Sequence, residues 1–373
     1  MENESSINKK FKWYEQPFRW ANILLILLTL CSYLTSYINP KLSGWLSILG
    51  LAYPVLLFFN VGFLFFWIYR RKFTLAFSTF LCIIIGWNFL TAIFGVNYFS
   101  HSSAEPTQQL SIVTYNARNF IIRGNHNADK HRNRIEETLS VIKEQQPDIF
   151  CAQEAVINQR HKDAREHIKE NLSVYPHIVS QKSLLIASKY PIINHGKVEF
   201  EDNLKKLNSN VFADVQYSNQ FIVRVYSLHL ESNQVSSTTE NIELNTEKLQ
   251  NKSTWRTIYR ILRSIKNNQK VRAEQIKTIV EHIKGSPYPV IVCGDFNDTP
   301  LSYTVRQTNF LQDNFAQKGK GLGSTYNGNI PFLRIDYILS DPKFKVEQTE
   351  ILKQYQSSDH FPMMSTVSWE FPE

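Results

Sequence analysis

Six short stretches of this 373-residue chain bring together side chains that can hold a cation and move protons: Tyr115-Asn116, Gln153-Glu154, Leu228-His229-Leu230, Gly294-Asp295-Phe296-Asn297, Arg334-Ile335-Asp336-Tyr337 and Ser358-Asp359-His360. They supply four carboxylates (Glu154, Asp295, Asp336, Asp359), two amides (Asn116, Asn297) and two imidazoles (His229, His360). Carboxylate and amide oxygens suit a hard divalent cation, and imidazoles beside carboxylates suit proton handling next to a phosphate. Each stretch alone has an ordinary reading. Gly-Asp-Phe-Asn is also a strand-to-turn transition, since Gly and Asn tolerate φ > 0. His229 in an apolar run also fits a hydrogen-bonded core residue, and Asp359-His360 before Phe-Pro is common loop composition.

Most of these stretches end, or lie within, segments that read as strands. Leu110–Tyr115, Asp148–Gln153, Ser183–Ser188, Phe212–Val215, Phe221–Leu230, Pro289–Cys293, Arg334–Leu339 and Met363–Trp369 are short runs rich in β-branched, aromatic or other apolar residues. His131–Gln145 places Ile135, Leu139 and Ile142 at helical spacing and is closed by Pro147, and a second helix is expected through Val271–Ile283. Strands mixed with helices over some 260 residues predict an α/β (α+β) sandwich, in which helices cover two sheets and ligands bind at strand ends. No internal repeat is evident.

Taken in order, the six stretches resemble the endonuclease/exonuclease/phosphatase superfamily, which includes pancreatic-type deoxyribonuclease, abasic-site endonucleases, neutral sphingomyelinases and inositol-polyphosphate 5-phosphatases. The resemblance covers residues 110–370 and implies a four-layer sandwich with two central sheets flanked by helices. It also implies a Mg²⁺ site, with Mn²⁺ as a substitute, in which Glu154 is the main ligand and Asn116 and Asp359 lie near the metal. His360, oriented by Asp336, would handle the proton, and Asp295 would position or deprotonate the attacking water. Asn297 and His229 would donate to phosphate oxygens. Arg334 would either fix the Asp336 segment or face the phosphate. One departure is Leu184, which stands where many members have Gly before the Ser188-Lys189-Tyr190-Pro191 segment. Another is an insertion at 231–270. Within it, Trp255, Ile258, Leu262 and Ile265 are expected on one helical face and Arg256, Arg260, Arg263 and Lys266 largely on another. Such a basic helix over 255–266 can lie on an anionic surface or pack as a solvated surface helix.

The region before residue 100 is of another kind. Ala21–Ile38, Trp45–Tyr69 and Phe73–Phe99 are apolar runs without internal charge, near or above the roughly 20 residues needed to cross a bilayer. Three transmembrane helices are therefore expected within an anchor over 1–99, followed by a linker at 100–109 and a hydrolase domain over 110–373. Lys9, Lys10, Lys12 and Arg19 precede the first run, and Arg70, Arg71 and Lys72 separate the second from the third. The positive-inside rule puts both groups in the cytoplasm and the hydrolase domain outside it, as in a multi-pass inner-membrane protein.

The formal net charge is +8, half of it in residues 1–105 and half beyond. That mild excess is compatible with an anionic substrate without demanding one. The four cysteines form no disulfide framework and no zinc motif; Cys151 and Cys293 lie in strand-like runs and read as small buried residues. The combined expectation is a membrane-tethered phosphoesterase acting on nucleic acid or a lipid headgroup. A phosphomonoesterase is the alternative, and a non-catalytic binding module a remote one.

Overall fold

The computed structural model describes residues 12–98, 108–118, 128–155, 168, 170–201, 204, 209–233, 252–328 and 330–370. Two six-stranded mixed sheets lie face to face. The first runs in the order β13 (Lys345–Ile351), β14 (Met363–Ser368), β2 (Gln109–Asn116), β3 (Ile149–Gln153), β5 (Leu184–Ser188), β4 (His177–Gln181). The second runs β10 (Gln312–Asp313), β12 (Asp336–Ser340), β9 (Val290–Asp295), β8 (Phe221–His229), β7 (Ser209–Ser218), β6 (Ile192–Gly196). Each has one parallel pair at its centre, β2 with β3 and β8 with β9, flanked by antiparallel strands.

Alternation along the strands divides the apolar residues between layers. Ile112, Cys151 and Ile186 face Ala213, Val225, Cys293 and Ile338 across the core between the sheets. Val113, Tyr115 and Phe150 turn outward onto Ile135, Leu139 and Ile142 of α6 (Ala128–Gln145). Tyr226, Leu228 and Val292 turn outward onto Ile276, Ile279 and Ile283 of α7 (Lys252–Lys284). The result is a four-layer sandwich, as expected. The helix expected over 271–283 is the end of a 33-residue one, about 50 Å long, so the last part of the insertion is continuous with it. Residues 234–251 of the insertion lie outside the described residues. Trp255 and Tyr259 are exposed beside Arg256, Arg260 and Arg263. Trp255, expected on the apolar face, is exposed, while Ile265 on that face is buried.

Ahead of the sandwich, α1 (Gln16–Leu34) and α3 (Ser47–Tyr69) form a hairpin joined through α2 (Pro40–Ser43). Trp13–Leu34 and Ser47–Tyr69 are long and apolar enough to cross a membrane. The third run departs from the expected single helix. It breaks at Gly86 into α4 (Phe73–Ile85) and α5 (Trp87–Ile93), bent by 68°, and then forms strand β1 (Phe94–Val96). Alone, α4 has 13 residues, about 20 Å against some 30 Å of hydrocarbon. The cause is local. The Tyr33 phenol lies where a Cβ on Gly86 would come within 2.2 Å of its oxygen. It donates to the Cys82 carbonyl at 3.0 Å, the acceptor that Gly86 N–H would use in an unbroken helix; that N–H turns to Ile83 instead.

Candidate active site

All six polar stretches arrive at one end of the sandwich. Asn116 closes β2, and Glu154 follows β3. His229 and Asp295 close β8 and β9 and are paired in register, while Asp336 opens the antiparallel β12 directly opposite Asp295. His360 lies just ahead of β14, bridged to Tyr326. Gly294 permits this convergence: its φ is +137°, and a Cβ there would sit 2.0 Å from the Leu228 carbonyl oxygen on the neighbouring strand. Glu154 (φ 48°) and Asn297 (φ 52°) take left-handed conformations where their strands end. For a glutamate this costs about 1–3 kcal/mol, a strain typical of functional positions.

Asp295 is the centre of the cluster. Its Oδ2 accepts from the Asn116 amide at 3.0 Å and the Asn297 amide at 3.1 Å, and its Oδ1 accepts from the Asn297 backbone N–H at 2.7 Å. Around it, His360 Nε2 is 3.8 Å and His229 Nε2 3.7 Å from Oδ2, and His229 Nε2 is in turn 3.8 Å from Glu154 Oε1. His360 Nδ1 lies 2.9 Å from Asp336 Oδ2, which fixes the ring so that Nε2 faces Asp295. Asp359 receives Arg118 Nε at 3.5 Å, and its carbonyl accepts from Asn327.

Burial shapes the proton affinities. Asp295 is 1 % exposed; desolvation raises its carboxyl above the ordinary range, opposed by His360 and His229 and reinforced by Asp336. For His360, burial alone would disfavour the imidazolium, but Asp336 and Asp295 outweigh it and raise the pKa to about 10. The ring therefore carries its proton at neutral pH.

Asp295, Asp336 and His360 offer ligand atoms within 4.8 Å of one another; with the His360 ring protonated, the carboxylate oxygens are the ones open to a cation. The buried Asp336 Oδ1 has no hydrogen-bond partner among the described residues. A set rich in carboxylate oxygens with an orphaned acceptor fits a hard divalent cation.

Two expected phosphate donors are differently engaged. Arg334 is 1 % exposed, its guanidinium bound to Asp313 and, at 2.7 Å, to the Ala92 carbonyl, and lies over the Phe315 and Tyr337 rings. These contacts tie the segment before Asp336 to Asp313 and Ala92, and turning toward a phosphate would leave Asp313 without its charge partner. Both Asn297 amide protons are used, by Leu230 O and Asp295.

Several supporting residues were not anticipated. The Thr325 hydroxyl accepts from the backbone N–H groups of Ile335 and Asp336. The Ser358 hydroxyl donates to the Asn116 carbonyl at 2.7 Å. Arg272, fully buried, donates to Asp298, Glu231 O and Asn233. Only Ser358 carried a signal, its place beside Asp359-His360.

No curated protein sequence matches the chain. Residues 15–93 match a family model described as a domain of unknown function. Among solved structures, an endonuclease/exonuclease/phosphatase family protein from Bacteroides thetaiotaomicron is 18% identical with a TM-score of 0.50, over 72% of this chain and 100% of that one. A second, from Bacteroides vulgatus, is also 18% identical with a TM-score of 0.50, over 71% and 100%. At that identity the likeness establishes the fold. A family model described as the Endonuclease/Exonuclease/phosphatase family matches residues 113–360, the span that runs from β2 to His360, and the chain belongs to that family.

Proposed function

We propose that this protein is a membrane-tethered, Mg²⁺-dependent phosphodiesterase whose active site faces the extracytoplasmic side. Family membership and the acidic cluster make it a metal-dependent hydrolase of phosphoric esters. The diester preference, the ion, the tether and its orientation are the proposal. The carrying observation is the linked set Glu154–His229–Asp295–His360–Asp336, each step 3.8 Å or less, at one mouth of the sandwich.

Glu154 is the best-placed ion ligand, with Asn116 and Asp359 as the further candidates. Its side chain is 29% exposed at the mouth, whereas Asp295 and Asp336 are buried. A bound Mg²⁺ would offset charge on a phosphate oxygen. Asp295, with its raised proton affinity, is placed to take the proton of an attacking water. The His360 imidazolium presents Nε2–H to a non-bridging or leaving oxygen, and Asp336 holds its Nδ1–H. His229 Nε2 donates to a second phosphate oxygen. Asn297 fixes Asp295, and Arg334 fixes the strand that carries Asp336.

The tether is supported by the inverted polarity of the hairpin and α4. Leu24, Phe58, Phe65 and Phe77 point outward and are more than half exposed, while Asn22 lies inside, bound to Trp67 and Thr79, and Asn60 to Thr29. Glu15, Arg70 and Lys72 meet at the hairpin end away from the sandwich, which suits a cytoplasmic end. A lipid-headgroup diester is the second reading. It is favoured by α7, whose Tyr259 meets Trp45 beside the hairpin turn at 6.0 Å while Arg256, Arg260 and Arg263 line the same exposed face.

The test is hydrolysis of bis-p-nitrophenyl phosphate by the full chain with and without Mg²⁺. Metal-dependent turnover lost in Glu154→Ala and His360→Ala supports the reading; equal rates in all three proteins end it. Plasmid DNA, RNA, sphingomyelin and phosphomonoesters then separate the substrate classes.

A further inference from the structure

Three stretches of the catalytic mouth are held by the N-terminal hairpin and the segment after it. The first is the loop 298–302, which continues directly from Asp295 and Asn297. Leu301 is fully buried among Tyr33, Tyr53 and Ile93, and its carbonyl lies 2.7 Å from both Thr35 Oγ1 and Ser36 Oγ. Thr35 has one hydroxyl proton and is equally close to the Ser32 carbonyl, so Ser36 is the committed donor. Gly50 leaves room for the junction: a Cβ there would meet Thr35 Oγ1 at 2.8 Å. The other end of the loop is fixed from the sandwich side, where Asp298 accepts from Arg272 and Thr304.

The second stretch is Arg334, whose guanidinium donates to the Ala92 carbonyl two residues before Asp336. The third begins where β1 pairs with β11 (Lys320–Leu322) and Gly323 N–H donates to the Ile93 carbonyl at 2.8 Å. That strand leads to Thr325, which holds the Asp336 backbone through its hydroxyl and Phe361 N–H, next to His360, through its carbonyl.

We propose that the apolar hairpin is part of the scaffold of the hydrolytic site, and that Ser36 and Thr35 are positioning residues acting on Asp295 and Asn297 through Leu301. The proposal rests on the reading of Asp295 as a catalytic group. Thr35 and Ser36 are essentially inaccessible to solvent, so no water replaces a lost hydroxyl, and the stranded carbonyl must move to find a partner. Movement of the loop displaces the residues that precede it, and displacements near 1 Å cost about a hundredfold in rate.

The experiment compares the full chain in lipid nanodiscs with three variants. Thr35→Val/Ser36→Ala removes both hydroxyls from Leu301, Thr35→Ser keeps both, and Thr29→Val breaks a bond of the same kind inside the hairpin, far from the loop. Turnover of bis-p-nitrophenyl phosphate and amide hydrogen exchange at 296–302 are read together. The double variant is expected to lose about tenfold in kcat with KM within about twofold and to exchange faster at 296–302, while Thr35→Ser and Thr29→Val follow the wild type. Unchanged kcat and exchange in the double variant overturn the proposal, as does an equal loss in Thr29→Val, which would reflect general loosening of the hairpin. Should the double variant fail to fold, Ser36→Ala is read by the same criteria. If the wild type cleaves no phosphoester, the functional reading fails separately, and exchange at 296–302 alone decides the positioning role.

Discussion

The sandwich and the hairpin bury opposite things. Between the sheets, the core is largely aliphatic and aromatic, and at one end Asp295, Asp336 and His360 are buried where each is hydrogen-bonded or charge-paired. In the hairpin and the adjoining α4, Asn22, Thr29, Asn60 and Thr79 occupy the interior, while Phe58, Phe65 and Phe77 face outward. A helix pair that hides its amides and shows its phenylalanines suits hydrocarbon, and a sandwich that does the reverse suits water. The two meet at Leu301, Ala92 and Ile93, where the mouth borrows contacts from the hairpin.

The comparison can be broken at several points. His360→Ala should lower kcat of the folded fraction by about 10²–10⁴-fold, because it removes the proton carrier; a loss under about threefold, measured in steady state, would remove His360 from the chemistry. A charge on each exposed apolar surface separates the two environments. Phe58→Asp should oppose membrane insertion by about 3 kcal/mol, whereas Ile178→Asp, 43% exposed on the edge strand β4, should cost the sandwich no more than about 1 kcal/mol. Equal effects, read as insertion efficiency and as thermal stability, would erase the distinction. Asn22→Leu, which removes the acceptor that Trp67 Nε1 and Thr79 Oγ1 share, should weaken packing of the apolar helices by about 1 kcal/mol in bilayer or micelle unfolding assays; a stabilised assembly would argue against an inward polar seam. The last prediction concerns pH, and its direction is what decides. The folded-state pKa of His360, about 10, lies above the ordinary 6.5. Its contribution to stability is therefore complete below about pH 6.5 and is lost as pH rises through about 10. In chelator, the stability gap between wild type and His360→Gln should shrink over that window, and a gap that widens would contradict the pairing with Asp336.

The eight interior strands of the two sheets were each legible as apolar runs, because strands covered on both faces carry continuous hydrophobic sequence. All four edge strands, β4, β6, β10 and β13, escaped. Lys345–Ile351 reads KVEQTEI, alternately exposed and buried, and such half-solvated edges carry charge that masks their β pattern. The site was legible for a related reason: its polar residues sit where interior strands stop, so Asn116, Glu154, His229 and Asp295 stand out against what precedes them. Thr325, Arg272 and the clasp of Ser36 on Leu301 gave no such contrast, since their roles depend on partners distant in sequence. The bend at Gly86 was hidden similarly, because the Tyr33 hydroxyl that opens the helix comes from a different helix.

The central claim is that one ion and one phosphate are gripped between Glu154 and the Asp295–His360–Asp336 cluster. Anomalous diffraction from crystals of the full chain soaked in Mn²⁺ and inorganic phosphate tests it most directly. The account predicts a manganese peak in coordination contact with the Glu154 carboxylate and a phosphate within hydrogen-bond reach of His229 and His360. Manganese bound only at sites remote from Glu154, with phosphate absent from the mouth between the two sheets, would contradict it.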